Sequence, residues 1–294
     1  MTGCHVPTCW RLRTRGLELP HPGGSLRRPL VMGIVNVTPD SFSDGGRHAG
    51  AEAAVEHGLA LVAAGADILD VGGESTRPFA EPVEEEEELR RVADVVRRLA
   101  AVGGVPVSID TSKAAVAERA IDLGAEIIND VTGLEGDPRM IAVARDSGAG
   151  VVAMHMQGTP RTMQLDPRYE DVVAEIHAYL AARRDALEAA GIARERLCLD
   201  PGIGFGKTHE HNVELMSHAR RFLDLGVPIL VGHSRKGFLA KIVERSLGRA
   251  ATVADRDAAT AGTACGLADQ GIQVVRVHDV GLVRTALEAF AALR

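Results

Sequence analysis

Side chains that can bind a small molecule recur where short apolar runs of the sequence end. Asp110, Asn129 and Asp200 each follow such a run, and their carboxylate and amide groups suit a flat heterocycle with N–H and amidine-like edges. Helix capping, or salt bridges to Lys236 or Arg276, is an alternative role for any one of them. Capping does not readily explain all eight positions, which are Asn36, Gly72, Asp110, Asn129, His155, Asp200, Gly232 and His278.

A second group of residues could bind an anion. Arg276 and His278 alternate along one run, so a strand there places both side chains on the same face. Arginine offers a two-pronged donor to phosphate oxygens, histidine adds a donor, and Asn36 can complete a pocket for an anion or a magnesium-phosphate group. We therefore predict a phosphate site formed by Asn36, Arg276 and His278.

Two glycine-containing loops lie next to these residues in the sequence. They run from Thr38 to Gly46 and from Gly72 to Pro78, longer than a strand-to-helix connection requires. We predict that both loops act as mobile lids over the site.

Eight aliphatic runs alternate with eight segments of helical periodicity, and these elements must position the site. The runs are Leu30–Val35, Asp67–Val71, Val105–Ile109, Glu126–Ile128, Gly150–Met154, Arg196–Leu199, Pro228–Val231 and Gln273–Val277. The helix candidates are Ala51–Ala64, Glu84–Ala101, Lys113–Leu123, Pro138–Asp146, Tyr169–Ala190, Asn212–Leu225, Ala258–Ala268 and Leu282–Leu293.

This alternation predicts an α/β fold, a (β/α)8 TIM barrel with an N-terminal β-hairpin. A doubly wound sheet is less favoured, because no G-x-G-x-x-G follows the first run. Residues 1–30 form an extension in which Trp10–Leu19 alternates like a strand and His21–Ser25 resembles a turn, so we expect a hairpin that plugs the lower mouth of the barrel. Residues 31–294 form a single domain on this interpretation.

Composition narrows the possible partners. The 294 residues carry a formal charge of −7 and include only 6 Phe, 2 Tyr and 1 Trp, which argues against a nucleic-acid-binding surface. The sequence has no apolar stretch long enough to span a membrane, and the four cysteines are scattered without CxxC pairs. We expect a cytoplasmic protein that binds neither nucleic acid nor membrane.

Seven motifs taken together resemble the dihydropteroate synthase family of pterin-binding barrels. The resemblance runs from about Trp10 to the C-terminus. The motifs are Met32–Gly46, Gly72–Pro78, Ile128–Asp130, Met154–Pro160, Asp200–Lys207, Ser234–Lys236 and Arg276–Asp279.

The resemblance implies a homodimeric, magnesium-dependent transferase of folate biosynthesis that is a target of sulfonamide inhibitors. Its reaction would join 7,8-dihydropterin-6-ylmethyl diphosphate to 4-aminobenzoate. By the same resemblance the pterin would be bound by Asp110, Asn129, Met154, Asp200, Phe205 and Lys236. Asn36, Thr76, Arg276 and His278 would hold the diphosphate, with Asn36 beside Mg²⁺, and Asp40, Phe42, Thr76, Arg77, Pro78 and Lys236 would face the aminobenzoate. The catalytic residues implied are Asp110, Asp200, Lys236 and Arg276.

Two alternatives stay open at this stage. A pterin-binding methyltransferase domain would share the Asp/Asn/Asp pocket, but it has no use for an Arg-x-His anion site or for the Ser-Thr-Arg-Pro loop. A non-catalytic pterin-binding paralogue would be expected to have lost the loop motifs, which are intact here.

Overall fold

Ten strands run through the residues that the computed structural model describes, which are 7–21, 24–38, 46–75 and 80–293. The first two, β1 (Cys9–Arg11) and β2 (Gly16–Glu18), form an antiparallel hairpin. The other eight are parallel: β3 (Leu30–Asn36), β4 (Ile68–Gly72), β5 (Val107–Asp110), β6 (Ile127–Asp130), β7 (Gly150–Met154), β8 (Leu197–Asp200), β9 (Leu230–Val231) and β10 (Val274–Val277).

The eight parallel strands curl into a barrel. Their hydrogen-bonded order is β8-β7-β6-β5-β4-β3-β10-β9, so strands that are consecutive in the sequence are neighbours in the barrel, and the last strand, β10, also pairs with the first, β3. The two end strands meet at a parallel bridge between Leu199 and Ile229, where the Leu199 N–H donates to the Pro228 carbonyl over 2.9 Å. The (β/α)8 barrel predicted from the sequence is confirmed.

The inward-facing side chains differ between the two ends of the barrel: they are apolar at the lower end, here called the floor, and polar at the upper end, the mouth. Inward side chains at the lower ends, among them Ile68, Ile127, Cys198 and Val274, form a buried apolar cluster. Because strand side chains alternate with a period of two, the next inward positions lie one layer higher. Those positions are Asp70, Asn129, Asp200 and Arg276.

The hairpin closes the floor of the barrel. Trp10 on β1 is fully buried in the floor cluster, and its indole N–H donates to the Arg196 carbonyl over 2.9 Å. The expected plug is therefore present, but its turn was predicted at the wrong place. The two strands are joined between Arg11 and Gly16, where the Leu12 N–H donates to the Arg15 carbonyl, so the segment predicted as the turn follows β2 instead of connecting it to β1.

Nine α-helices in the described ranges surround the barrel. They are α1 (Gly46–Ala63), α2 (Glu85–Val102), α3 (Ala114–Asp122), α4 (Met140–Ser147), α5 (Val172–Ala189), α6 (His209–Ser217), α7 (Gly237–Leu247), α8 (Val253–Gln270) and α9 (Val280–Ala292). Within those ranges, we find no helix with the length and apolar character needed to cross a membrane.

Two helix predictions need correction. The connection from β9 to β10 holds two helices, and α7 was absent from the predicted set. The predicted helix Asn212–Leu225 is divided into α6 and a 3₁₀ segment, Ala219–Leu225. The Arg220 N–H donates to the Gln270 side chain there, so α8 replaces the helical carbonyl that this N–H would otherwise use.

Candidate active site

The mouth of the barrel brings together an arginine, two aspartates and an asparagine. Arg276 on β10 donates from Nε to Asp70 Oδ2 over 2.6 Å and from Nη2 to Asp110 Oδ2 over 2.7 Å. Asn129 on β6 donates from Nδ2 to the same Asp70 oxygen over 3.1 Å. These contacts join the predicted pterin and phosphate sites into one network.

Burial and neighbouring charges shift the ionisation of this network. Burial raises the pKa of Asp110 to about 7; Arg276 opposes the rise, and Asp70, Glu88 and Asp130 add to it. Burial by itself lowers the pKa of Arg276, but Asp70 and Asp110 outweigh that effect and the guanidinium pKa lies above its usual value. Arg276 therefore stays charged, while Asp110 can change its charge near neutral pH.

The segment after β8 forms the opposite wall of the site. The Asp200 carboxylate accepts a hydrogen bond from the Gly202 N–H over 2.7 Å. Gly202 has φ +68°, and a Cβ atom there would lie 1.9 Å from the His155 carbonyl oxygen, so only glycine fits this turn. The turn places the Phe205 ring next to Lys236, whose Nζ lies 4.4 Å from the ring centroid.

Lys236 enters the site just before α7 begins. Its Nζ donates to the Ile203 carbonyl, which ties it to the segment after β8. Burial lowers the pKa of Lys236 to about 7; Asp200 opposes that change and Arg276 adds to it. Burial also raises the pKa of Asp200, against the Gly202 hydrogen bond and the charge of Lys236. The charge of each of these two groups therefore favours the charged form of the other.

His278, Met154 and Asn36 complete the described part of the site. The His278 ring Nδ1 lies 3.0 Å from Ser234 Oγ, and its backbone N–H donates to the same oxygen over 3.2 Å. Met154 is buried at the end of β7, and Asn36 is half-buried at the end of β3. Arg276 is therefore held by two aspartates and His278 by Ser234, so different side chains position these two predicted anion-binding residues.

Five predicted residues lie outside the described part of the chain. They are Asp40, Phe42, Thr76, Arg77 and Pro78.

Comparison with known proteins identifies the family. The family model described as pterin-binding enzyme matches residues 32–278. The chain belongs to the pterin-binding enzyme family. It is 44% identical over 271 residues to the dihydropteroate synthase of Neisseria meningitidis serogroup C, covering 91% of this chain and 94% of that protein.

Solved structures of this family agree with the fold. The Xanthomonas albilineans dihydropteroate synthase with 4-aminobenzoic acid superimposes with a TM-score of 0.87 at 45% identity, covering 97% of this chain and 98% of that one. The Yersinia pestis dihydropteroate synthase in a sulfonamide drug complex gives a TM-score of 0.86 at 41% identity, covering 97% and 99%. The resemblance inferred from the motifs is confirmed.

Sequence reasoning missed one member of the network in this pterin-binding enzyme. Asp70 is fully buried and contacts both Arg276 and Asn129. It lies inside the aliphatic run of β4 rather than after it, so a search for polar residues at strand ends passes over it. An ionisable residue on the inward side of an otherwise apolar strand was the available signal.

The sequence analysis also missed a cluster of charged side chains that lies next to β5. Lys113, which directly precedes α3, pairs with Glu74 after β4 and over 2.5 Å with the fully buried Glu88 of α2. Burial raises the pKa of Glu88, and Lys113 opposes that rise. The run Glu84–Glu88 looks like a solvated helix start in the sequence, so the inward position of Glu88 was not expected.

Proposed function

We propose that this chain is a dihydropteroate synthase, a transferase of folate biosynthesis. It condenses 7,8-dihydropterin-6-ylmethyl diphosphate with 4-aminobenzoate and releases diphosphate and 7,8-dihydropteroate. One observation carries the proposal: Arg276 is hydrogen-bonded to Asp110 and, through Asp70, to Asn129, so an anion-binding cation adjoins groups suited to a pterin ring.

The pterin is recognised by complementary hydrogen bonds. Its ring has several N–H donors, and the ionised Asp110 and Asp200 can only accept, whereas Asn129 can donate and accept. Met154 is buried at the mouth, and Phe205 lies beside Lys236, so the ring has apolar contacts as well as polar ones.

Bond cleavage at the methylene carbon needs charge stabilisation and no protein nucleophile. As the C–O bond breaks, its electron pair leaves with the diphosphate, and Arg276 and His278 stabilise the charge on the phosphate oxygens. The positive charge left behind spreads over the pterin ring, where Asp110 and Asp200 stabilise it. The aminobenzoate amine then supplies the electron pair of the new C–N bond and loses a proton to water.

The aminobenzoate lies toward Lys236 in this proposal. The ammonium group of Lys236 is next to Phe205 and near the start of α7, and both features suit a carboxylate on an aromatic ring. The predicted contributions of Asp40, Phe42, Thr76, Arg77 and Pro78 to lids over this ring stay predictions. Sulfonamides are expected to compete with 4-aminobenzoate for the same place.

Magnesium is part of the proposal, with Asn36 as its ligand from the protein. Mg²⁺ commonly takes one or two oxygen ligands from a protein and the rest from substrate phosphates and water. The amide of Asn36, at the mouth, fits that pattern, and the described residues contain no group of three His, Cys, Asp or Glu side chains that could hold a metal. When bound, the ion would neutralise charge on the departing diphosphate.

Replacing Asn36 by alanine is expected to reduce the effect of magnesium on diphosphate binding by about tenfold, because an oxygen ligand is lost. Calorimetry with inorganic diphosphate, with and without Mg²⁺, measures this directly and needs no turnover. Asn36→Asp keeps an oxygen ligand and serves as the control that retains the magnesium effect. An Asn36→Ala protein with the same magnesium dependence as the wild type would exclude Asn36 as a ligand.

The pH dependence of kcat/KM is expected to be bell-shaped, with its maximum near pH 7. Asp110 must be ionised to accept from the pterin, and its pKa is raised to about 7, so the rate falls as the pH decreases below that value. Lys236 must be protonated to attract the aminobenzoate carboxylate, and its pKa is lowered to about 7, so the rate also falls as the pH rises.

A Lys236→Arg variant is the control for the alkaline side of this profile. Arginine keeps its charge at every working pH, so the alkaline fall should disappear while the acid fall remains. Steady-state rates between about pH 5 and pH 9 measure both limbs. An unchanged alkaline fall in the variant would show that Lys236 does not cause it.

Aminobenzoate-dependent turnover tests the proposed function. The purified chain is incubated with the pterin diphosphate and magnesium, with and without 4-aminobenzoate, and diphosphate and dihydropteroate are both measured. We expect equal amounts of the two products, formed only when both substrates are present. Tight pterin binding without turnover would indicate a non-catalytic pterin-binding protein, and methyl transfer from a reduced folate would indicate the methyltransferase alternative.

Assembly and location are further proposals. We propose a homodimer, supported by an open groove of about 290 Å³ whose apolar lining includes Val213 of α6, Phe238 and Ile242 of α7 and Leu267 of α8. The molecular mass in solution tests it. The cytoplasmic location predicted from the scattered cysteines stays a prediction.

A further inference from the structure

Asp70 is a fully buried carboxylate inside the barrel, one layer below the mouth. Its side chain has no exposed surface, and it stands on β4 directly above the apolar position of Ile68. A carboxylate in such a place is costly unless it is paired and hydrogen-bonded. A charged residue on an otherwise apolar strand therefore requires a role that a hydrophobic residue could not fill.

One oxygen of Asp70 connects two strands on opposite sides of β4. Asp70 Oδ2 accepts from Arg276 Nε over 2.6 Å and from Asn129 Nδ2 over 3.1 Å. In the order of the sheet, β10 with Arg276 lies two strands from β4 on one side, and β6 with Asn129 lies two strands from it on the other. Asp70 thus spans five neighbouring strands of the barrel.

The contact with Arg276 sets which edge of the guanidinium faces the substrate. Nε and Nη2, which lie along one edge, are taken by Asp70 and Asp110. Nη1 has no hydrogen bond to the described part of the chain, so Nη1 is available to a phosphate oxygen. Without the Asp70 contact, the guanidinium could rotate about its last side-chain bond and lose this orientation.

The contact with Asn129 sets the orientation of the amide. A carboxylate only accepts hydrogen bonds, so the nitrogen of the amide must face Asp70 and its oxygen must face away. An outward oxygen selects an N–H donor on the bound ring. The orientation of the Asn129 amide is thus decided by a residue that need not touch the substrate.

We infer that Asp70 is a positioning residue that orients Arg276 toward the diphosphate and Asn129 toward the pterin through one shared oxygen atom. This inference rests on the proposed function for the identity of the two ligands. The inference predicts a pattern of lost affinities that differs from the pattern for Arg276 or Asn129. Loss of Asp70 weakens both halves of the substrate, whereas loss of Arg276 weakens mainly the diphosphate and loss of Asn129 mainly the pterin.

The test is Asp70→Asn, measured by calorimetry with two separate probes, inorganic diphosphate with magnesium and 6-hydroxymethyl-7,8-dihydropterin. Asparagine keeps the size of the side chain and removes its charge, so we expect each affinity to fall on the order of tenfold. Arg276→Ala and Asn129→Ala provide the one-sided reference patterns. A loss confined to one probe, or no loss, would overturn the inference.

Ser108→Ala is the matched control for a merely structural effect. Ser108 is fully buried on β5, is paired in register with Asp70, and its hydroxyl has no hydrogen-bond partner among the described residues. Its removal should leave both affinities within about twofold of the wild type. If Ser108→Ala weakened both probes as much as Asp70→Asn does, general disturbance of the barrel would explain the result and the inference would fall.

A measurement on the unaltered protein covers the case in which Asp70→Asn does not fold. The Nε–H proton of Arg276, assigned by its absence from Arg276→Lys, should exchange slowly with solvent because it is held by a buried carboxylate. Fast exchange would overturn the inference. Neither this readout nor the two binding measurements needs turnover, so they can succeed even if no dihydropteroate is formed and the proposed function fails.

Discussion

Replacing Arg276 by alanine is expected to lower kcat/KM for the pterin diphosphate on the order of a thousandfold or more. Arg276 is the cation that we propose stabilises the departing diphosphate, and its loss removes a charge-assisted contact made most strongly when the C–O bond breaks. Steady-state rates at limiting pterin diphosphate measure the effect.

The decrease in kcat/KM should exceed the effect of losing one hydrogen bond, because two carboxyl groups remain without their cationic partner. Asp70 and Asp110 both pair with Arg276, at 2.6 Å and 2.7 Å. Without the guanidinium, two carboxyl groups remain beside the place expected for an anionic substrate. Their negative charge repels the diphosphate and so opposes its binding. We therefore expect Arg276→Lys, which keeps the charge but not the forked geometry, to lose less activity than Arg276→Ala.

Arg284→Ala is the matched control for this substitution. Arg284 lies on α9 and donates to the Gly65 carbonyl over 2.9 Å, away from the residues of the mouth. Its loss should change kcat/KM by less than about twofold. A decrease of less than about tenfold in Arg276→Ala would contradict the role that we assign to the guanidinium.

Replacing Asp200 by asparagine is expected to lower kcat about a hundredfold or more while KM changes much less. The reason is that positive charge on the pterin ring develops only as the diphosphate leaves, so a carboxylate aimed at the ring stabilises the transition state more than the bound substrate. Asp200 is held for this purpose by the Gly202 N–H and faces the charge of Lys236.

The separation of kcat from KM distinguishes this role from simple recognition. Full saturation curves for the pterin diphosphate, with 4-aminobenzoate in excess, give both constants. Asp224→Asn is a suitable control, because Asp224 is exposed and, within the described part of the chain, its carboxylate pairs with His177 far from the mouth residues in sequence. A loss confined to KM would show that Asp200 binds the ring without stabilising its charge.

The predictable part of the site follows from strand periodicity. Asp110 and Asp200 end their strands, and Asn129 and Arg276 are the last residue but one of theirs. Parallel strands of one barrel bring their carboxyl ends to one mouth. Their convergence could therefore be inferred from one sequence. Their hydrogen-bond partners could not, because the contact of Arg276 with Asp70 depends on which inward positions face each other across the barrel.

Other differences arise from local rules that tertiary contacts override. The residues His21–Ser25 have the composition of a turn, but the hairpin reverses near Leu12 instead, where burial of Trp10 under the barrel fixes the register of β1. The contact of the Trp10 indole with the Arg196 carbonyl joins residues far apart in the sequence, so a local pattern could not show it.

The fate of the bridging oxygen atom is the most direct test of the central claim, substitution at the pterin methylene carbon. The pterin diphosphate is labelled with ¹⁸O at the oxygen between the methylene carbon and the first phosphorus. It is then converted with 4-aminobenzoate, and the masses of the products are measured by mass spectrometry. We predict that all of the label leaves with the diphosphate and that the pterin is recovered as unlabelled dihydropteroate. Label retained on a hydroxymethyl pterin would mean that a P–O bond had broken, and would contradict the account.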